Sequence, residues 1–147
     1  MRWSALVLLV AAGVGCQKNK VQLDAPALTG SYALTKSKGV VDELVLRSEG
    51  TYEHTTVRAG AKHVYQGRWT VTHPTTGSET GTQVTLQGFC ADWLPGPGWP
   101  CPVAPSAISV LDVEVHNRQI FIALEPDSGL YYAKQTPLDA AGTQPPP

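Results

Sequence analysis

Three cysteines and four histidines are the residues of this 147-residue chain best suited to chemistry, and their spacing narrows what they could do. Cys16, Cys90 and Cys101 include no Cys-x-x-Cys pair. His54, His63, His73 and His116 fall on separate segments, none at ligand spacing from a cysteine. His54 and His63 are expected on one interior face and could begin a metal site. No third ligand accompanies them, so no metal is assigned. A nucleophile elbow needs Gly-x-Ser-x-Gly, and Gly77-Ser78-Glu79-Thr80-Gly81 holds those elements in the wrong order; it reads as a turn. Phosphate-loop, dinucleotide and His-Glu-x-x-His patterns are missing from the chain. No catalytic residue and no cofactor are assigned, and the expected role is not enzymatic.

Cys16 carries the one strong chemical signal. It ends an apolar run that starts after Arg2, has its core at Leu6 to Val10, and closes on the small residues Gly13-Val14-Gly15. The 13 residues from Trp3 to Gly15 fall short of the ~20 that a spanning helix needs. The layout is that of a removable signal peptide. With cysteine at the cleavage point it resembles a bacterial lipoprotein signal, which implies diacylglycerol on the Cys16 thiol and a third acyl chain on the new amine. Several acyl chains suffice for stable anchoring. Gln17 stands where inner-membrane lipoproteins usually have Asp, so the resemblance implies the outer membrane, facing the periplasm. Residues 1–15 are expected to be the signal, 16–28 a lipid-anchored tether, 29–135 one domain and 136–147 a disordered tail.

Loss of residues 1–15 removes Arg2 and leaves 10 Lys+Arg against 12 Asp+Glu, a net charge of −2. That balance supplies no electrostatic footprint for nucleic acid. The remaining 132 residues suffice for one core. With Cys16 acylated, Cys90 and Cys101 form an even remainder, which an oxidising compartment would join as a disulfide; two free thiols or half of a metal site are the alternatives. Closing that loop would contribute on the order of 3 kcal/mol.

These residues must be positioned by strands. Eight are predicted, at about 30–35, 41–47, 51–58, 62–72, 81–88, 107–116, 119–124 and 130–135, with no sustained helical period anywhere. Short strands in succession favour an all-β, antiparallel, eight-stranded up-and-down meander that closes into a barrel. At Ser48-Glu49-Gly50 a three-residue bulged loop puts Leu46 beside Tyr52 and Leu44 beside His54. A two-residue turn would set Leu46 against Glu53 and split the apolar face, so burial selects the bulged form. A turn at Asn117-Arg118 pairs Val115 with Ile120, Val113 with Ile122 and Leu111 with Leu124. Phe121 falls outside, opposite Glu114. His63, Tyr65, Gly67, Trp69 and Val71 are expected inside, with Val84 and Leu86 continuing the lining. Tyr52, His54, Thr56, His63 and Tyr65 are then a polar minority in an apolar interior, which suits either a small-molecule cavity or a filled barrel with one wet end.

Gly30-Ser31-Tyr32, Leu44 through Tyr52 and Gly67-Arg68-Trp69-Thr70-Val71 together resemble small lipocalin-like (calycin-type) bacterial lipoproteins over residues 28–135. In that family a Gly-x-Trp opening packs under an Arg from the last strand; here Tyr32 and Lys134 stand at those places. The segment from Phe89 to Pro102 adds Trp93 and Trp99 on a proline-stiffened loop, where they would anchor a ligand or a protein. The expected ligand-binding set is Tyr52, His54, His63, Tyr65, Trp69, Trp93 and Trp99. The leading expectation is a membrane-anchored barrel that binds a small apolar ligand. The alternative is an envelope protein-interaction module or hydrolase inhibitor, since lipid-anchored barrels with one disulfide resemble the C-type lysozyme inhibitors, and Ser128 through Tyr132 is similar to their Ser-Gly loop.

Overall fold

The computed structural model describes residues 21–35, 39, 41–58, 60–75, 81–90 and 106–138. Cys16, Trp93, Trp99 and Cys101 lie outside these. Eight strands, β1 (Gly30–Leu34), β2 (Val41–Leu46), β3 (Thr51–Arg58), β4 (Ala61–Thr72), β5 (Thr82–Gln87), β6 (Ile108–His116), β7 (Gln119–Glu125) and β8 (Leu130–Lys134), pair in chain order, and β1 pairs with β8 to close the barrel. Every predicted strand is present, with ends within one residue.

Register follows burial as expected. In the first hairpin Leu46 pairs with Tyr52 and Leu44 with His54. Gly50 takes φ 80°, and its N–H donates to the Arg47 carbonyl at 3.0 Å, which is the bulged three-residue loop. In the second, Val115 pairs with Ile120 and Val113 with Ile122, while Phe121 opposes Glu114. Asn117 and Arg118 both adopt positive φ, the geometry a two-residue hairpin turn requires. Along β4 the odd residues from His63 to Val71 are the less exposed ones, as their alternation demands.

Up-and-down connectivity gives the barrel two distinct ends. One carries the start of β1, the β2–β3, β4–β5 and β6–β7 connections and the end of β8. The other carries the β1–β2, β3–β4, β5–β6 and β7–β8 connections. The first end is plugged by a segment that the sequence reading assigned to an aperiodic tether. Residues 25–28 form a single-turn helix, α1 (Ala25–Leu28), with Pro26 in its first turn. Leu23 and Leu28 are buried in the core. The Thr82 hydroxyl accepts from the Leu23 N–H at 2.8 Å and donates to the Val21 carbonyl at 2.9 Å. The ordered domain therefore begins by residue 21, not 29. One turn has no period to detect, and it is held by tertiary contacts rather than propensity. Likewise Leu138, placed in the expected tail, is buried, and its backbone exchanges hydrogen bonds with Arg118.

Candidate functional site

Beneath this plug, β1 and β8 bring together the residues of the Gly-x-aromatic opening. Tyr32 and Lys134 are cross-strand partners, and both are buried. The Tyr32 hydroxyl donates to the Leu28 carbonyl at 2.5 Å, and Lys134 Nζ donates to the Ala27 carbonyl at 2.6 Å. Gly30 sits at φ 136°, and a Cβ there would lie 3.0 Å from Lys134 Cε; glycine is what lets the lysine cross to the helix. Burial lowers the Lys134 amine to about 8 and pushes the Tyr32 phenol far up.

The opposite half of the barrel interior holds a polar cluster. Asp42, His54 and Tyr132 project inward from β2, β3 and β8, and all three are buried. Asp42 Oδ1 lies 2.6 Å from the Tyr132 hydroxyl and 2.8 Å from His54 Nε2. Tyr132 and His54 Nε2 are 3.0 Å apart. The arrangement is satisfied when the Tyr132 O–H and the His54 Nε2–H both donate to Asp42 Oδ1, which assigns the tautomer from the network. Asp42 Oδ2 and His54 Nδ1 are buried and have no hydrogen-bond partner among the described residues. Leaving such an atom unsatisfied costs about 1–3 kcal/mol.

Aromatic rings wall this cluster. Phe89, just beyond β5, lies over His54 with ring centroids 5.0 Å apart, and it meets Tyr52 and Tyr132 edge-on at 6.2 and 6.3 Å. The Tyr65 ring stands 5.8 Å from His54. Buried Thr56 pairs with Asp42 across β2 and β3.

The expected site residues divide between two roles. His54, Tyr65 and Tyr52 come together around Phe89, and His63 lies on the same strand face, opposite Thr56. Trp69 is built into the wall instead: its indole N–H donates to the Arg47 carbonyl at 2.8 Å and its backbone N–H to the Gly50 carbonyl at 2.9 Å, which fixes the first hairpin. Tyr52 also spends its hydroxyl on the frame, donating to the Gln87 carbonyl at 3.0 Å, and its phenol is pushed up to about 12 by burial. Asp42 and Tyr132 were missed, although Asp42 is two residues from Leu44 and so shares its face. Among the described residues, no three His, Cys, Asp or Glu side chains are grouped to hold a metal ion. Nor is any helix there long and apolar enough to cross a membrane.

No family model, curated protein or solved structure matches the chain.

Proposed function

We propose that the chain is a non-enzymatic, lipid-anchored envelope protein whose barrel holds a small, largely apolar ligand. The observation that carries this reading is the pair of buried, unpaired polar atoms, Asp42 Oδ2 and His54 Nδ1, inside an aromatic enclosure. Binding sites for small molecules combine apolar walls with a few convergent polar groups. The signal sequence supports acylation of Cys16 and a place on the outer membrane, facing the periplasm. The Tyr32–Lys134 pair beneath α1 supports the lipocalin-like resemblance. Cys90, buried directly after Phe89, and Cys101 are the even pair left once Cys16 is acylated, which supports a disulfide closing the segment that carries Trp93 and Trp99.

The test is mass spectrometry of an organic extract of the purified mature protein, joined to a tryptophan-fluorescence titration with isoprenoid and fatty lipids. A stoichiometric lipid or a saturable change supports the reading; an empty extract with no saturable change overturns it. A second reading, a protein-interaction module, draws on Ile108 and Val110. These lie 67% and 54% exposed on the outer face of β6. A stoichiometric envelope partner lost on changing Ile108 and Val110 to Ser, with no lipid in the extract, would favour it.

A further inference from the structure

The geometry points to a ligand whose polar end is a hydrogen-bond donor, an alcohol or an amine, received by Asp42 Oδ2 and His54 Nδ1. This rests on the ligand-binding reading above and gives it a chemical class. Asp42 receives both the Tyr132 hydroxyl and the His54 Nε2–H on one oxygen, at 2.6 and 2.8 Å. Both protons available within the cluster are thereby used. What is left over is one carboxylate oxygen and one imidazole nitrogen bearing a lone pair, both of them acceptors. Two buried acceptors cannot satisfy one another; a donor from outside the cluster satisfies them.

The same geometry disfavours the acids that apolar pockets often take. A fatty carboxylate brings more acceptors and a negative charge to a buried carboxylate. Lys134, the one buried cation among the described residues, is committed at the other end of the barrel to the Ala27 carbonyl. Phe89 and the face of the Tyr65 ring supply the apolar walls of the site, to which Tyr65 also brings a buried hydroxyl; the ligand is then an amphiphile with a small donor head. An ordered water has the donors to fill the same place, and the experiment separates it from a ligand.

The test uses three probes that share a chain and differ in the head group: decanol, decylamine and decanoate. Each is titrated below its solubility limit or micellar concentration into the full mature protein, with tryptophan fluorescence and the His54 ring-nitrogen NMR shifts as readouts. The alcohol and the amine should bind roughly tenfold or more tighter than decanoate, the step one hydrogen bond to a charged acceptor supplies, and should move the His54 Nδ1 shift. Asp42→Asn keeps the acceptor for Tyr132 and His54 but turns the spare atom into an N–H donor. It should therefore flatten or reverse the preference; the wild-type ranking stands alone should the variant not fold. Decanoate binding as tightly as decanol in the wild type would overturn the donor-head assignment while leaving ligand binding intact. No binding of any probe, together with an empty lipid extract and a His54 shift explained by water alone, would overturn both.

Discussion

At the scale of single residues, the frame is set by close approaches that only certain side chains permit. Gly67 is the sharpest case. A Cβ there would sit 2.6 Å from Tyr52 Cε1 and 2.9 Å from its Cζ, and against the Gln87 carbonyl that the Tyr52 hydroxyl bonds. The ring cannot swing away without giving up that bond, and the carbonyl belongs to the end of β5. Gly67→Ala should therefore cost roughly 1–3 kcal/mol through overpacking, read as a lowered denaturant midpoint with an unchanged m-value. A midpoint equal to wild type would mean that Tyr52 is free to move. Such approaches left a partial trace in the sequence: Gly67 falls on the inward parity of β4, but which neighbour needs the space depends on the β3 register. The polar cluster was half legible for a related reason. His54 stands out as a histidine on an apolar face. Asp42 is the second residue of β2, near the strand's start, where an aspartate usually marks solvent, and Tyr132 blends into the aromatic pattern of β8.

At the scale of elements, alternation and turn chemistry carried most of the information. Gly50 and Asn117-Arg118 fixed two hairpins, and closure of β1 on β8 follows from eight short strands with no edge left over. The N-terminal plug was opaque, because α1 is held by tertiary contacts, with Thr82, Tyr32 and Lys134 bonding its backbone or the residues before it and Leu28 buried in the core. Thr82→Val, which deletes a donor and an acceptor while keeping the shape, should raise amide exchange at residues 23–28 well above that at β3. Equal protection in the variant would show that Leu23 and Leu28 hold the segment alone. Lys134 adds a pH dependence whose sign is opposite to that of a lysine gaining a partner charge. Its amine falls from an ordinary 10.5 to about 8 by burial, so between those values the unfolded chain binds the proton that the folded one has released. Stability then rises with pH across that window. The raised phenols of Tyr32 and Tyr52 act the other way. Their contribution is complete below pH 10 and is lost as the pH rises through their folded values. Thermal melts between pH 8 and 9.5 should accordingly show wild type gaining on Lys134→Met. Parallel curves would remove the buried-amine assignment.

At the scale of the whole molecule, the two ends of the barrel acquire different surroundings once Cys16 is taken as acylated, as proposed above. The ordered segment begins by Val21 and is tied at once to Thr82 and the start of β1. The five residue-to-residue steps from Cys16 to Val21 span at most about 18 Å even when fully extended. The plugged end must then face the bilayer closely. The polar cluster and Phe89 lie toward the other end, at which β5 finishes and β6 begins. A ligand would reach the site from the aqueous side rather than by lateral entry from the membrane, and any partner that delivers it would meet the far rim. Strands of this length separate the two ends by roughly 25 Å, enough for a distance-dependent quencher to resolve. A fluorophore on Glu49→Cys, exposed on the plugged end, should be quenched by a headgroup-borne quencher in vesicles carrying the acylated protein. One on Asp127→Cys, exposed at the far end, should be nearly unaffected, and a long Gly-Ser insertion after residue 18 should erase the difference. Equal quenching at both positions without the insertion would mean that the barrel lies on its side or tumbles freely. Residues 21–28 would then serve as a plug without setting the orientation of the domain.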